Sequence, residues 1–180
     1  AKPKVTVNPL SNSTLTAGNN VKLIDFTVSS EQGGDTVSIK KFTFNVDITN
    51  TGTPLALTNF KFYEGGTDVT NKVAISASLP VVTVIYNSGN AKDIAAGSSQ
   101  TFSLRADITG VETGDSITTS LVGDPLVGNP PLVPKGNALS MLGNNFVWSD
   151  NSRAPHDETT SQDWTIGYLV NAPDSTLSDV

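Results

Sequence analysis

The chain has 180 residues and a formal net charge of −6, and only 16% of its residues are charged. The acidic balance argues against a nucleic-acid partner, which needs a dense basic face, and against electrostatic docking to anionic lipid. The absence of cysteine excludes disulfides and thiolate metal sites, and no apolar run approaches the roughly 20 residues that span a bilayer.

Residues 1–19 are predicted to form an N-terminal strand followed by a polar linker. Lys4-Val5-Thr6-Val7 alternates polar and apolar side chains, which is typical of a short strand. Ala1-Lys2-Pro3 resembles a start left by signal-peptide removal. With a composition rich in Ser, Thr, Asn and Gly, this start predicts an exported protein, extracellular or at the cell surface. The linker also contains one N-glycosylation sequon, at Asn12.

Residues 20–123 alternate apolar and polar side chains with period two, which is the pattern of half-buried strands. Turn-forming stretches such as EQGGD (31–35) and EGGTD (64–68) separate these strands, and no long helix is expected. The pattern predicts an all-β, immunoglobulin-like antiparallel β-sandwich. One strand is expected to bury one face, formed by Val73, Ile75, Ala77 and Leu79. The core between the two sheets is expected to contain Phe42, Phe44, Phe60, Phe62, Phe102 and Leu104.

Residues 124–170 are predicted to complete the same domain. The segment 124–137 contains four prolines, which cannot donate to a central strand ladder, so it is expected to be irregular. Two late strands are expected in NNFVWS (144–149) and WTIGYLV (164–170). Residues 171–180 are polar and are expected to form a loose tail.

Residues 146–164 hold both tryptophans and the only histidine, together with an unusual density of carboxylates. Calcium needs six to eight oxygen ligands, and the oxygens here match no EF-hand spacing. The alternative is a solvated acidic loop whose ends are anchored by Trp148 and Trp164, and this interpretation is favoured over calcium. The candidate calcium ligands are Asp150, Asn151, Asp157, Glu158 and Asp163.

An enzymatic role has little support in the sequence. His156 is the only imidazole, and no Gly-x-Ser-x-Gly element is present. A carboxylate pair for glycoside cleavage could come from Asp150, Asp157, Glu158 and Asp163, but that chemistry needs a deep, aromatic-lined cleft. Aromatic residues make up only 7% of the chain. No catalytic residue is therefore assigned.

Nearly the whole chain resembles secreted surface proteins of uncultured small-genome bacteria. The most specific similarity is a closing motif formed by FVWSDNS (146–152), His156 and DWTIGYLV (163–170). Those proteins place a small residue where Arg153 stands. The resemblance implies a β-sandwich surface module without catalytic residues. More distantly, the chain is similar to extracellular filament subunits that lend a terminal strand to a neighbour.

The leading hypothesis is therefore a structural subunit of an extracellular filament, sheath or surface layer, whose partners are copies of itself. Val5 and Val7 are the candidate contact residues, because an alternating terminal strand can add to the open sheet edge of a neighbouring copy. Pairing of residues 4–7 within their own domain is the competing interpretation. The alternatives in function are a monomeric adhesion module that binds surface glycans and, less favoured, a calcium-dependent hydrolase.

Overall fold

The computed structural model of the chain describes residues 1–125, 134–167 and 174–178. Two antiparallel sheets pack face to face, which confirms the predicted β-sandwich. The five-stranded sheet has the order β1-β2-β9-β4-β5. Its strands are β1 (Pro3–Asn8), β2 (Gly18–Ser30), β4 (Ala56–Glu64), β5 (Thr67–Asp68) and β9 (Ser99–Thr109).

The second sheet has nine strands and is organised around one long strand, β3 (Val37–Thr49). The other strands are β6 (Val73–Ser78), β7 (Val81–Tyr86), β8 (Lys92–Ile94), β10 (Ser116–Leu121), β11 (Lys135–Gly136), β12 (Val147–Ser149), β13 (Trp164–Thr165) and β14 (Asp174–Ser178). The main order is β11-β13-β12-β3-β10-β14, while β7 and β8 pair with β3, and β6 pairs with β7.

Helical structure is minor in the described residues. A 3-10 turn spans Thr70–Lys72, and a single turn of α-helix, α1, spans Ala138–Met141. Asn137 caps α1, because its side-chain oxygen accepts a hydrogen bond from the Ser140 N–H at 2.8 Å. None of the described helices is long or apolar enough to cross a bilayer.

The core between the sheets is a cluster of aromatic rings. Ring centroids lie 5.2 to 6.4 Å apart, and the rings meet in stacked, tilted and edge-to-face arrangements. Alternation explains the cluster, because every second side chain of a strand faces the opposite sheet. The rings that are at most 1% exposed belong to Phe26, Phe42, Phe44, Phe62, Phe102, Phe146 and Tyr86.

The prediction for Phe60 was wrong in degree, since this side chain is only partly buried at the rim of the core. The pairing of β4 with β9 shifts register between Thr58 and Lys61. Asn59 takes φ of 53° at that point, which is a left-handed backbone conformation. β4 thus carries one extra residue opposite β9 beside Phe60, whose ring packs against the core but stays partly exposed.

The face predicted for Val73, Ile75, Ala77 and Leu79 is also only half correct. Val73 is buried and Ile75 partly so, whereas Ala77 is exposed and Leu79 is 41% exposed. These last two residues lie where β6 approaches its turn into β7. Val82 of β7, which pairs with Ala77, is 0% exposed, so the exposure is confined to the edge strand β6 and its turn.

The prediction of a loose C-terminal tail is corrected at residues 174–178. They form β14, which pairs antiparallel with β10 and places Leu177 opposite Ile117. Leu177 is 2% exposed and belongs to the core, so an apolar residue within a polar stretch supplies the reason for ordering. Several predicted features lie outside the described residues, namely most of the proline-rich segment, the end of the second late strand and part of the tail.

Candidate functional site

Residues 134–167, here called the covering segment, lie against β3. Ser38 and Lys41 of β3 contact this segment, whereas Ile39 and Phe42 belong to the core between the sheets. The segment adds a small apolar cluster of its own, separate from the main core. That cluster contains Ala138, Val147, Trp164 and Ile166, with Ala91 and Met141 packed against it.

Both tryptophans of the covering segment have the burial that an anchoring role requires. Trp148 is 2% exposed and Trp164 is 0% exposed. The Trp148 indole N–H donates to the Gly167 carbonyl at 3.1 Å, and that of Trp164 donates to the Asp157 carbonyl at 2.9 Å. The second bond lies inside the stretch between the two tryptophans and holds its middle against the apolar cluster.

A bulge in β3 brings two lysines into contact with the covering segment. Ile39 pairs with Trp148 and Lys41 pairs with Val147, so Lys40 is an extra residue in the ladder. Both lysines are buried, at 2% and 7% exposure. Sequence reasoning missed this pair, although the Lys-Lys doublet marks the point where the apolar alternation changes phase.

Each buried lysine has a defined polar partner. The Lys40 ammonium forms an ion pair with the Glu158 carboxylate and contacts the Asn87 carbonyl at 3.4 Å. The Lys41 ammonium donates to the Leu142 carbonyl at 2.8 Å. Burial lowers the pKa of Lys41, because the charged form loses solvation, although the nearby Asp124 partly opposes this shift. The Glu158 carboxylate is thus the charge partner of the buried Lys40 ammonium.

Each of the remaining candidate calcium ligands also has a hydrogen-bond or charge partner of its own. Asp150 lies 3.4 Å from the Lys135 ammonium, and the Asn151 side-chain oxygen accepts from the Ser38 hydroxyl at 3.0 Å. Asp157 accepts hydrogen bonds from Thr160 and Thr159. These bonds hold the pKa of Asp157 well below its usual range, with the Thr160 hydroxyl the largest cause.

Asp163 is the most deeply buried of these groups, at 0% exposure. One of its oxygens accepts from the Arg153 N–H and contacts His156 Nδ1, each at 3.1 Å, and the His156 ring stacks on Trp164 at a centroid distance of 5.1 Å. The other oxygen has no hydrogen-bond partner. Within the described ranges, no serine or threonine hydroxyl forms a hydrogen bond with His156.

The structure therefore does not bring the five candidate ligands together. Nowhere in the described part of the chain do three or more His, Cys, Asp or Glu residues form a group that could hold a metal ion. Calcium binding stays a prediction, but it has no shared ligand cluster there. Asn12 is exposed, as a glycan acceptor must be, and its glycosylation likewise stays a prediction.

An open cleft of about 420 Å³ lies beside the covering segment. Its lining mixes apolar surface with polar side chains that include Ser38, Asp93, His156 and Glu158. The one tryptophan that borders it, Trp164, is buried and offers no exposed ring face on which a sugar could stack. The cleft therefore supplies little specific support for the glycan-binding alternative.

The candidate contact residues Val5 and Val7 lie on β1, at the edge of the five-stranded sheet. β1 pairs antiparallel with β2 of the same chain, from Pro3 opposite Ser30 to Asn8 opposite Asp25. Val5 and Val7 are partly buried against the core. The structure thus shows the pairing within one domain, which was the competing interpretation for this strand.

Comparisons with known proteins add little to this geometry. No family model matches the sequence, and no curated protein matches it. Among solved structures, the fimbrial adhesin FimA of Actinomyces is 13% identical with a TM-score of 0.40, and the match covers 98% of this chain. The chain spans 55% of that adhesin's length.

The pilus backbone protein RrgB of Streptococcus pneumoniae is 10% identical with a TM-score of 0.40. That match covers all of this chain and 80% of the RrgB chain, while a full-length RrgB structure is covered over 35% of its length with a TM-score of 0.37. TM-scores this low do not establish a shared fold. The function proposed below rests on the chain's own residues.

Proposed function

We propose that this chain is a non-enzymatic structural subunit of an extracellular filament, sheath or surface layer, and that neighbouring copies exchange β1. The observation that carries the proposal is the position of β1. This strand lies at a sheet edge, pairs with β2 alone, and is joined to β2 through residues 9–17 instead of a tight turn.

Every contact of β1 with β2 can also form between two copies, because the strands are identical in each. The six residue pairs are repeated, as are the bonds from the Asn8 side-chain amide to Asp25 at 2.9 Å and to Thr27 at 3.0 Å. Val5 and Val7 then occupy the same apolar positions on the neighbour. Exchange of an identical element is a low-cost route to assembly, and a head-to-tail contact whose rotation does not close on itself builds a filament.

The hinge for such an exchange has a defined length. Leu15 is 1% exposed and its N–H donates to the Ser178 carbonyl at 2.9 Å, while the Ser178 N–H donates to the Ser13 carbonyl at 2.9 Å, so the connection is held from Ser13 onward. Residues 9–12 are left to reorient, and four extended residues span at most about 14 Å. β1 can therefore reach a β2 edge of a copy that lies within this distance.

A disulfide that locks β1 in its own domain tests the proposal. Lys4 faces Ser29 across the pair, and opposite antiparallel residues have Cα separations that suit a disulfide. Because the natural chain has no cysteine, a Lys4→Cys/Ser29→Cys variant can form only the intended bond within one copy. We expect the oxidised variant to form no polymer and the reduced variant to polymerise, as seen by electron microscopy and sedimentation.

A Lys4→Ser chain exposed to the same oxidant is the matched control, and it should polymerise like the unmodified protein. Equal polymerisation of the oxidised and reduced double variants would eliminate β1 as the exchanged strand and make β14 the next candidate. If the unmodified protein forms no ordered polymer at high concentration, the filament proposal itself is wrong and the monomeric adhesion module becomes the better interpretation.

A further inference from the structure

β6 is an open edge of the nine-stranded sheet. All six of its residues, Val73–Ser78, pair with β7, and among the described residues no backbone hydrogen bond reaches the other side of the strand. In an antiparallel edge strand, every second residue directs its N–H and C=O away from its partner. These groups make the edge a template on which another strand can pair.

The other described edges carry features that discourage pairing, and β6 does not. β1 has Pro3 and an exposed Lys4, and the short β5 has Asp68, which pairs with Lys61 at 3.8 Å. β14 is covered at its Ser178 end by residues 13–15, which exchange two backbone hydrogen bonds with Ser178. β6 contains neither charge nor proline, and only Ser interrupts its small and apolar side chains.

Exposed apolar surface continues from β6 into the turn that follows it. Three large hydrophobic side chains are exposed in the described part of the chain, and two of them flank this turn. They are Leu79, at 41% exposure, and Val81, at 45%. Ala74 and Ala77 of β6 are exposed as well. The edge thus joins unpaired backbone to an uncharged, partly apolar surface.

We propose that β6 pairs antiparallel with β6 of a second copy about a two-fold axis, which joins the nine-stranded sheets of two copies into one. A second copy suits this edge because a two-fold contact sets the same uncharged strand against itself, so no carboxylates are opposed across it. Each copy has a net charge of −6, so two copies associate best through a surface free of carboxylates. Residues 73–85 contain no ionisable side chain, which is a long uncharged stretch in a chain with 17 acidic residues.

Symmetry restricts the register of this contact. Residues opposite each other in an antiparallel pair point to the same face of the sheet. The two-fold axis must therefore lie where a residue faces its own copy, and not midway between two consecutive residues. An axis through Ser76 pairs all of residues 74–78. It places Ile75 opposite Ala77 of the second copy and Leu79 beside Val73 of the second copy. Leu79 would then be removed from water.

The contact is separate from β1 exchange and extends the proposed function without depending on it. A two-fold contact uses the same surface on both copies and closes as a dimer. If β1 exchange builds filaments, then β6 pairing joins them side by side, as a sheath or layer requires. If β1 stays in its own domain, β6 pairing still yields a discrete dimer.

Sedimentation of the oxidised Lys4→Cys/Ser29→Cys variant isolates the contact, because β1 cannot exchange in it. We expect this protein to dimerise with increasing concentration. Adding Ser76→Lys should raise the dimer Kd about tenfold or more, since the two lysines face each other. Thr109→Lys is the matched control, because Thr109 is also exposed but its strand is paired with β4. It should leave the dimer unchanged.

The register is tested by Ser76→Cys in the otherwise cysteine-free chain. Mild oxidation should give a disulfide-linked dimer, and Thr109→Cys should not. A locked variant that remains monomeric at every concentration would overturn the proposal, and so would a dimer that Ser76→Lys does not weaken. Neither result would affect the proposal for β1, whose readout is polymerisation on reduction.

Discussion

Two different kinds of neighbour bury β3. Their contrast shows that this chain is stabilised by apolar packing on one side of the strand and by polar contacts on the other. Towards the opposite sheet, Phe42 and Phe44 lie in a cluster of rings held by apolar packing. Towards the covering segment, Ser38, Lys40 and Lys41 make hydrogen bonds and an ion pair. Apolar burial tolerates many arrangements, whereas each buried polar group requires a particular partner.

The largest expected effect comes from removing one ring of the cluster. Phe42 is 0% exposed and lies 5.2 Å from both Phe26 and Phe102, measured between ring centroids. Phe42→Ala should lower the free energy of unfolding by about 3–5 kcal/mol, because it leaves a cavity among rigid neighbours. Urea denaturation measures this loss. Phe60→Ala is the control, and equal losses in the two variants would contradict the observed difference in burial.

A smaller loss is expected when the polar neighbour of β3 is broken. Glu158→Gln leaves the Lys40 ammonium buried without an opposite charge, which should cost about 3 kcal/mol in the same denaturation experiment. A Lys40→Met/Glu158→Leu double variant should recover most of this loss, because neither side chain then carries a charge. Asp150→Asn breaks a more exposed pair with Lys135 and should cost under about 1 kcal/mol.

Comparable stability of the Glu158→Gln and Asp150→Asn variants would show that the Lys40 ion pair contributes no more than a surface pair. In that case the covering segment would be held mainly by its own apolar cluster. That cluster would then differ from the aromatic core only in its size.

The smallest expected effect concerns calcium. Because the five candidate ligands have separate partners, removal of calcium by a chelator should leave the Tm unchanged in calorimetry. The Asp163→Asn variant is the informative comparison, since Asp163 has a buried oxygen without a hydrogen-bond partner. A Tm that falls with chelator, recovers with calcium, and does neither in the variant would establish the calcium hypothesis.

Much of the core followed from alternation alone, and its failures have local causes. Phe42, Phe44, Phe62 and Phe102 are buried as predicted, since period two assigns side chains to one face. Phe60 is only partly buried, and it lies beside the bulge at Asn59, where β4 carries an extra residue opposite β9. The sequence also contains a readable sign of the second bulge, the Lys40-Lys41 doublet.

The candidate site was less predictable than the core. The carboxylates between Trp148 and Trp164 are close in sequence, which made a shared metal plausible. In the fold their partners come from elsewhere, since Glu158 meets Lys40 of β3 and Asn151 meets Ser38. Spacing along a loop does not specify such partners, because the loop's path depends on what it packs against.

The sequence by itself therefore determined the all-β class, the alternating strands and most of the apolar core, because side-chain periodicity is a local property. Only the tertiary structure decided which strands are neighbours. It placed β1 beside β2, ordered β14 beside β10, and left β6 with one side unpaired. Backbone N–H and C=O groups are the same in every residue type except proline. The order of strands therefore depends on how the whole chain closes its core, and so do the edges that remain open to a second copy.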